Sequence, residues 1–172
     1  MKITIVSDLE GFQCRTCGKW HEGLPLDYAY DAPYYWSDSL KSDPDCFLNS
    51  DLCVIKGHDY FVRGLIEIPV IGSDQPFRWG VWTSLSKKNF DKMVELWNDP
   101  KLLDEPPYFG WLSTSIDIYP QTLNLKVDVI SRAITERPYI VLEPTDHPLA
   151  MEQRHGITMD RVREIAERAV HP

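Results

Sequence analysis

Long apolar runs are missing from this 172-residue sequence, and so are the motifs that usually announce a reaction. No stretch approaches the roughly 20 apolar residues that a membrane-spanning helix needs. A Gly-rich nucleotide loop, a His-Glu-x-x-His pair and a Gly-x-Ser-x-Gly elbow are all absent, so nucleotide-driven, zincin and α/β-hydrolase chemistry have no local support. There is also no run of Lys and Arg. Acidic residues outnumber basic ones by 26 to 18, giving a formal net charge of −8. Such a surface repels phosphate backbones and anionic lipid, so neither nucleic acid nor membrane is expected as a partner. Internal repeats, low-complexity tracts and Gly/Ser linkers are lacking too, and one domain over residues 1–172 is expected. The opening residues Met1 to Asp8 are too short and polar for an export signal, so the expected location is the cytoplasm.

Cysteine is scarce, and in a reducing compartment Cys14, Cys17, Cys46 and Cys53 read as thiols or metal ligands before disulfides. Aromatic residues, by contrast, are plentiful, with 6 Trp, 8 Tyr and 6 Phe. They supply enough apolar surface for a core without covalent staples.

The segment 12–41 is dense in Cys, Gly, Pro and aromatics and is expected to be loop-rich. Strands dominate the middle of the chain. Leu52–Ile55 and 60–68 should form a hairpin about Lys56-Gly57-His58-Asp59, and Phe77–Leu85 is the next strand, with Gly80 marking a bulge. Ser86 reads as the cap of a helix over 87–97 that buries Phe90, Met93, Val94 and Trp97. Alternation over 123–129 predicts a half-buried strand, and 138–143 a further one. A short helix should start at His147-Pro148, and Thr158 should cap a last helix with Met159, Val162, Ile165, Ala166 and Ala169 inward. Hairpin-linked strands followed by helices point to an α+β fold. The expectation is a mainly antiparallel sheet over 50–170, with helices packed on one face, behind the loop-rich Cys-containing N-terminal segment.

One chemical motif stands out. Cys14-Arg15-Thr16-Cys17-Gly18 places two thiols two residues apart, with His21 four residues further on. Two such thiolates can share one tetrahedral ion, and Gly after the second allows a tight turn. Zn2+ is the metal this set suggests, with Cys14, Cys17 and His21 as ligands. No second Cys-x-x-Cys exists, so a fourth ligand must come from afar, and Cys53, Cys46 and His147 are the candidates. The competing reading is a turn carrying two free thiols. A redox pair is disfavoured, because Gly18, Gly23 and Pro25 deny the helix that such chemistry places after its first Cys.

Two polar clusters also carry candidate chemistry. Arg63 and Glu67 should share one strand face with Phe61 and Leu65, and Arg78 on the neighbouring strand could pair with Glu67. Either these form a cross-strand ion pair or Arg63 lies at the base of a cleft that takes a carboxylate or phosphate. Thr145-Asp146-His147-Pro148, followed by Glu152, Gln153 and Arg154, reads either as a tied-down helix start or as an acid–base group.

The motifs together resemble a family. Phe12-x-Cys14-x-x-Cys17-Gly18-x-x-His21-x-Gly23-Leu24-Pro25-Leu26, Ser50-Asp51-Leu52-Cys53-Val54-Ile55, Phe61-x-Arg63-Gly64-x-x-Glu67-Ile68-Pro69-Val70, Trp79-Gly80-Val81-Trp82, Tyr119-Pro120-x-Thr122-Leu123-Asn124-Leu125-Lys126 and His147-Pro148-Leu149-Ala150-x-Glu152-Gln153-Arg154 are similar to the DUF2199 family of uncharacterised bacterial proteins. The resemblance runs from about Phe12 to about Ala166. It implies a bacterial domain and no particular activity. Cys53 lies in the family's pattern, whereas Cys46 is less typical of it.

The function expected first is therefore a non-enzymatic binding or interaction domain, zinc-stabilised, with an unknown protein or small-molecule partner. A small hydrolase or other enzyme built on Arg63, Glu67, His147 and Glu152 is the alternative. An immunity-type protein, suggested by the acidic charge, is a third.

Overall fold

The structure, a computed structural model, describes residues 2–4, 11–133 and 136–171. Most of the stretch read for an export signal lies outside the described residues. Eleven strands and three α-helices are present among the described residues. In chain order these are β1 (Lys2–Thr4), β2 (Phe12–Gln13), β3 (Trp20–His21), β4 (Asp27–Ala29), β5 (Phe47–Leu48), β6 (Leu52–Ile55), β7 (Asp59–Ile68), β8 (Phe77–Leu85), α1 (Lys87–Glu95), β9 (Tyr108–Leu112), β10 (Lys126–Ile130), β11 (Tyr139–Leu142), α2 (Pro148–His155) and α3 (Met159–Val170). The class is α+β.

The expected hairpin is β6–β7, running from Leu52↔Val62 to Ile55↔Asp59. Its turn places Lys56 and Gly57 at φ 51° and 69°, a pair of left-handed residues that matches the right-handed twist of the strands. β7 then pairs with β8 along its length, from Tyr60↔Leu85 to Ile68↔Phe77. The strands β8, β9, β10 and β11 follow as antiparallel neighbours. β11 finally returns beside β7 in parallel, at Tyr139↔Leu65. The sheet therefore closes into a five-strand barrel, β7-β8-β9-β10-β11, rather than staying open. A second parallel pair, β4–β8, makes the sheet partly mixed, where antiparallel pairing was expected to dominate. Closure is tight at Gly64, where an added Cβ would stand 2.5 Å from Ile140 Cδ1 and 2.8 Å from the Pro138 carbonyl oxygen.

Beyond the single β7 bridge, the edge of β11 is satisfied by a side chain. Leu142 N donates to Gln153 Oε1 at 2.8 Å, and Gln153 Nε2 donates to the Ile140 carbonyl at 2.7 Å. A glutamine on α2 thus stands in for a strand, and no β11 donor or acceptor is left bare at that point. Gly80 marks no bulge, because β8 runs through it in unbroken register with Leu65. Its missing side chain instead admits β4, since a Cβ there would lie 2.9 Å from Ala29 Cβ.

Alternation sorts the barrel residues onto two faces. Val62, Ile66 and Ile68 of β7 and Phe77, Trp79 and Val81 of β8 face the main core, joined by Phe90 and Met93 of α1 and by Val162, Ile165 and Ala166 of α3. α1 lies against β7 and β8, and α2 against β7 and β11. The opposite side of β6-β7-β8 carries a second cluster, Cys53, Ile55, Phe61 and Trp82, covered by Tyr30, Trp36, Leu40, Cys46 and Leu48 from the N-terminal segment. Trp82 Nε1 donates to the Tyr30 carbonyl at 3.0 Å, so the largest ring of that cluster has its polar atom satisfied.

Some local expectations shift. α1 ends at Glu95, leaving Val94 42% exposed, and Leu96 takes the buried place. β10 starts at Lys126 instead of 123 because Asn124 adopts φ 64° in a turn. The caps are as expected: Ser86 accepts from Asn89 N and Thr158 from Arg161 N.

Candidate metal centre

The loop-rich segment contains a small hairpin, β2–β3, in which Phe12 pairs with His21 and Gln13 with Trp20. Its turn is built by the motif itself. Cys14 N donates to the Lys19 carbonyl and Gly18 N to the Cys14 carbonyl, both at 2.9 Å. Gly18 sits at φ 68° with nothing within 4 Å of where a Cβ would be. Only the torsion, not space, asks for glycine there. Burial raises the Cys14 thiol pKa, but hydrogen bonds from the backbone at Cys17 and Thr16 outweigh it and leave the pKa below its ordinary value. A thiolate at this position is what a metal requires.

Hairpin geometry brings Cys17 Sγ to 3.4 Å from His21 Nε2. Phe12, buried in the core, stacks on the His21 ring with centroids 5.3 Å apart and fixes its orientation. The fourth member comes from the other end of the chain. His171 follows the last residue of α3, its ring edge-on to His21 at 6.2 Å. One ligand atom from each of Cys14, Cys17, His21 and His171 lies within 4.8 Å of the other three. A tetrahedral zinc with Zn–S of about 2.3 Å and Zn–N of about 2.0–2.1 Å has ligand–ligand edges of about 3.3–3.8 Å. The Cys17–His21 distance of 3.4 Å already matches, and every other pair lies within 4.8 Å. Two thiolates and two neutral imidazoles would cancel the charge of a divalent ion. The group is thus compatible with metal binding.

Docking of the hairpin on α3 does not depend on the ligands alone. Arg15 N donates to Glu167 Oε1 at 2.6 Å, and Glu167 is only 8% exposed. The same residue's carbonyl accepts from His171 N at 3.1 Å. Glu167 therefore holds both halves of the group, through its side chain on one and its backbone on the other.

The three fourth-ligand candidates lie elsewhere. Cys53 is fully buried in the second apolar cluster, where burial first and Cys46 second push its thiol up to about 12. Cys46 Sγ accepts from Lys56 N at 3.1 Å. His147 is the N-cap of α2, its Nδ1 accepting from Leu149 N at 3.2 Å. His171 stands 150 positions from its neighbour His21, and spacing carries no signal over such a distance.

The polar candidates divide among separate groups. Glu67 accepts from Arg78 Nε at 2.8 Å, the cross-strand pair expected, with Arg132 at 3.9 Å. Arg63, 7% exposed, lies over the Trp82 ring and donates to the Ser50 carbonyl. Arg137 reaches the same carbonyl and bonds Asp51 at 2.7 Å. Glu152 accepts from Tyr119 and from Arg161 Nε, the latter at 2.9 Å. No described hydrogen bond, ion pair or cavity joins Arg63, His147 and Glu152 to one another.

No helix among the described residues is long and apolar enough to cross a membrane. No curated protein and no solved structure matches the chain. A family model matches residues 13–157, a span that holds Cys14, Cys17 and His21 and stops short of α3. The chain belongs to DUF2199, the family described as uncharacterised proteins conserved in bacteria.

Proposed function

We propose that Cys14, Cys17, His21 and His171 hold one structural Zn2+, and that the protein is a zinc-clasped binding module of the cytoplasm. The observation that carries this reading is the convergence of two sulfur and two imidazole ligands from opposite ends of the chain. A mixed S2N2 set suits zinc over magnesium or calcium, which prefer oxygen. Four protein ligands leave no open coordination position, which is the mark of a structural site. A reducing compartment would keep both thiols available. The ion would tie the β2–β3 hairpin to the end of α3 and add to the Arg15–Glu167 contact.

A binding role is supported by the outer wall of the barrel. Phe109 and Trp111 of β9 are 49% and 41% exposed with ring centroids 5.1 Å apart, and Val141 of β11 is 39% exposed across Asp128. Such a strip suits an apolar surface of a protein or small-molecule partner. The dispersal of Arg63, Glu67, His147 and Glu152 weighs against a shared catalytic site.

Untagged protein purified without added metal should carry about one zinc per chain, and Cys17→Ser should lower that content sharply. A strong chelator should lower the melting temperature, and added zinc should restore it. Metal-free protein that melts identically with and without zinc would overturn the proposal.

A further inference from the structure

A cavity of about 310 Å3 adjoins the ligand group, and His171 belongs to both. Trp79 and Ile116 from the barrel side and Ile165 and Ala169 from α3 give it apolar walls, and Asp117 and Arg168 are the acidic and basic groups on them. Asp117 makes its charge felt there: after burial, it is the second cause that pushes the Tyr30 hydroxyl up to about 12.

The four ligands are not held alike. Cys14, Cys17 and His21 belong to one hairpin whose turn and strand hydrogen bonds fix them together. His171 lies just past the helix, with φ −128° and ψ 68°, exposed, and its backbone is held by a single bond to the Glu167 carbonyl. Three ligands thus share one hydrogen-bonded hairpin, and the fourth follows the last residue of α3.

We propose that His171 is an exchangeable ligand, and that the coordination position it vacates takes a small thiol whose apolar body sits in this cavity. The proposal deepens the zinc reading and rests on it. In the exchange the thiol sulfur bonds the metal and the His171–metal bond breaks. The thiol proton leaves to solvent, so charge and atoms balance with no oxidant or reductant, and Arg168 on the cavity wall suits the added thiolate charge. A soft sulfur donor matches the two thiolates already present better than the hard oxygen of a carboxylate or phosphate. The apolar walls favour a hydrocarbon body over water.

The test uses the full chain loaded with Co2+ in place of zinc and phenylmethanethiol as the probe. Sulfur-to-cobalt absorption should rise about 1.5-fold as three thiolates replace two, with the ion retained. His171→Ala should bind Co2+ and reach the same rise at lower thiol concentration. Ala169→Phe, which fills the cavity, should keep the two-thiolate spectrum and show no rise. An unchanged wild-type spectrum, stripping of the ion by the thiol, loss of Co2+ by His171→Ala, or a wild-type response in Ala169→Phe would each overturn the proposal. Failure of the wild type to bind Co2+ or zinc at all would instead remove the zinc reading beneath it, and this proposal with it.

Discussion

Replacing Gly64 by alanine should open the barrel at its seam. The new Cβ would meet Ile140 Cδ1 at 2.5 Å, Ile140 Cγ1 at 2.6 Å and the Pro138 carbonyl oxygen at 2.8 Å. That carbonyl accepts the Leu65 N–H bond at 2.9 Å that joins β11 to β7. The isoleucine can turn partly aside; the backbone oxygen moves only if β11 does. Overpacking of this kind costs about 1–3 kcal/mol, offset by about 0.5–1 kcal/mol because alanine has less backbone freedom to lose. A net loss of about 1–2 kcal/mol corresponds to a melting temperature lower by about 2–8 °C for a domain of this size. Urea titration of Gly64→Ala, Ile140→Ala and the double variant isolates the cause. With Ile140 truncated, two of the three close contacts vanish, so the cost of Gly64→Ala should fall by about half or more. An alanine variant as stable as the wild type, or one with the same cost in both backgrounds, would refute the seam as drawn.

Other consequences can be checked as directly. Gln153→Ala strands the Leu142 N–H and Ile140 carbonyl and should cost about 1–3 kcal/mol; Gln153→Glu, which can accept from one but repels the other, should not recover it, as equilibrium unfolding will show. Iodoacetamide followed by peptide mass mapping should find Cys53 unreactive, since its thiol is pushed up to about 12, while zinc should protect Cys14 and Cys17 from the same reagent. Burial raises the Asp51 pKa, but the Ser50 hydroxyl and Arg137 more than reverse this and hold it below its ordinary 3.8. Its stabilisation is therefore fully present above about pH 4 and lost as acid carries the pH down through the lowered folded-state value. Asp51→Asn should flatten the stability–pH curve in that range, and an unchanged slope would count against the Arg137 pairing.

What could be read in the sequence followed its local physics. Ser86 and Thr158 announce their helices because the cap and the apolar spacing lie within one turn. The β6–β7 hairpin and the Glu67–Arg78 pair were visible because alternation fixes the face of every strand residue. The barrel was not visible, because closure depends on one bridge, Tyr139↔Leu65, between residues over 70 positions apart. β4 could not be foreseen as a partner of β8, because three residues between Leu26 and Tyr30 carry no period of their own. The metal group divides in the same way. Cys14, Cys17 and His21 share one hairpin and announce themselves by spacing, but His171 becomes their neighbour only once α3 has packed Val162, Ile165 and Ala166 into the core. A histidine just beyond a capped amphipathic helix was the sole available hint. The helix start expected at His147-Pro148 is capped by His147 itself, whose ring accepts from Leu149 N.

The central claim is that four named side chains from the two ends of the chain share one zinc. Zinc-edge X-ray absorption on the untagged protein in thiol-free buffer tests it most directly. The account predicts a first shell of two sulfurs at about 2.3 Å and two imidazole nitrogens at about 2.0–2.1 Å, with one nitrogen scatterer lost in His171→Ala. A shell of oxygen and nitrogen alone, or one unchanged by His171→Ala, would contradict it.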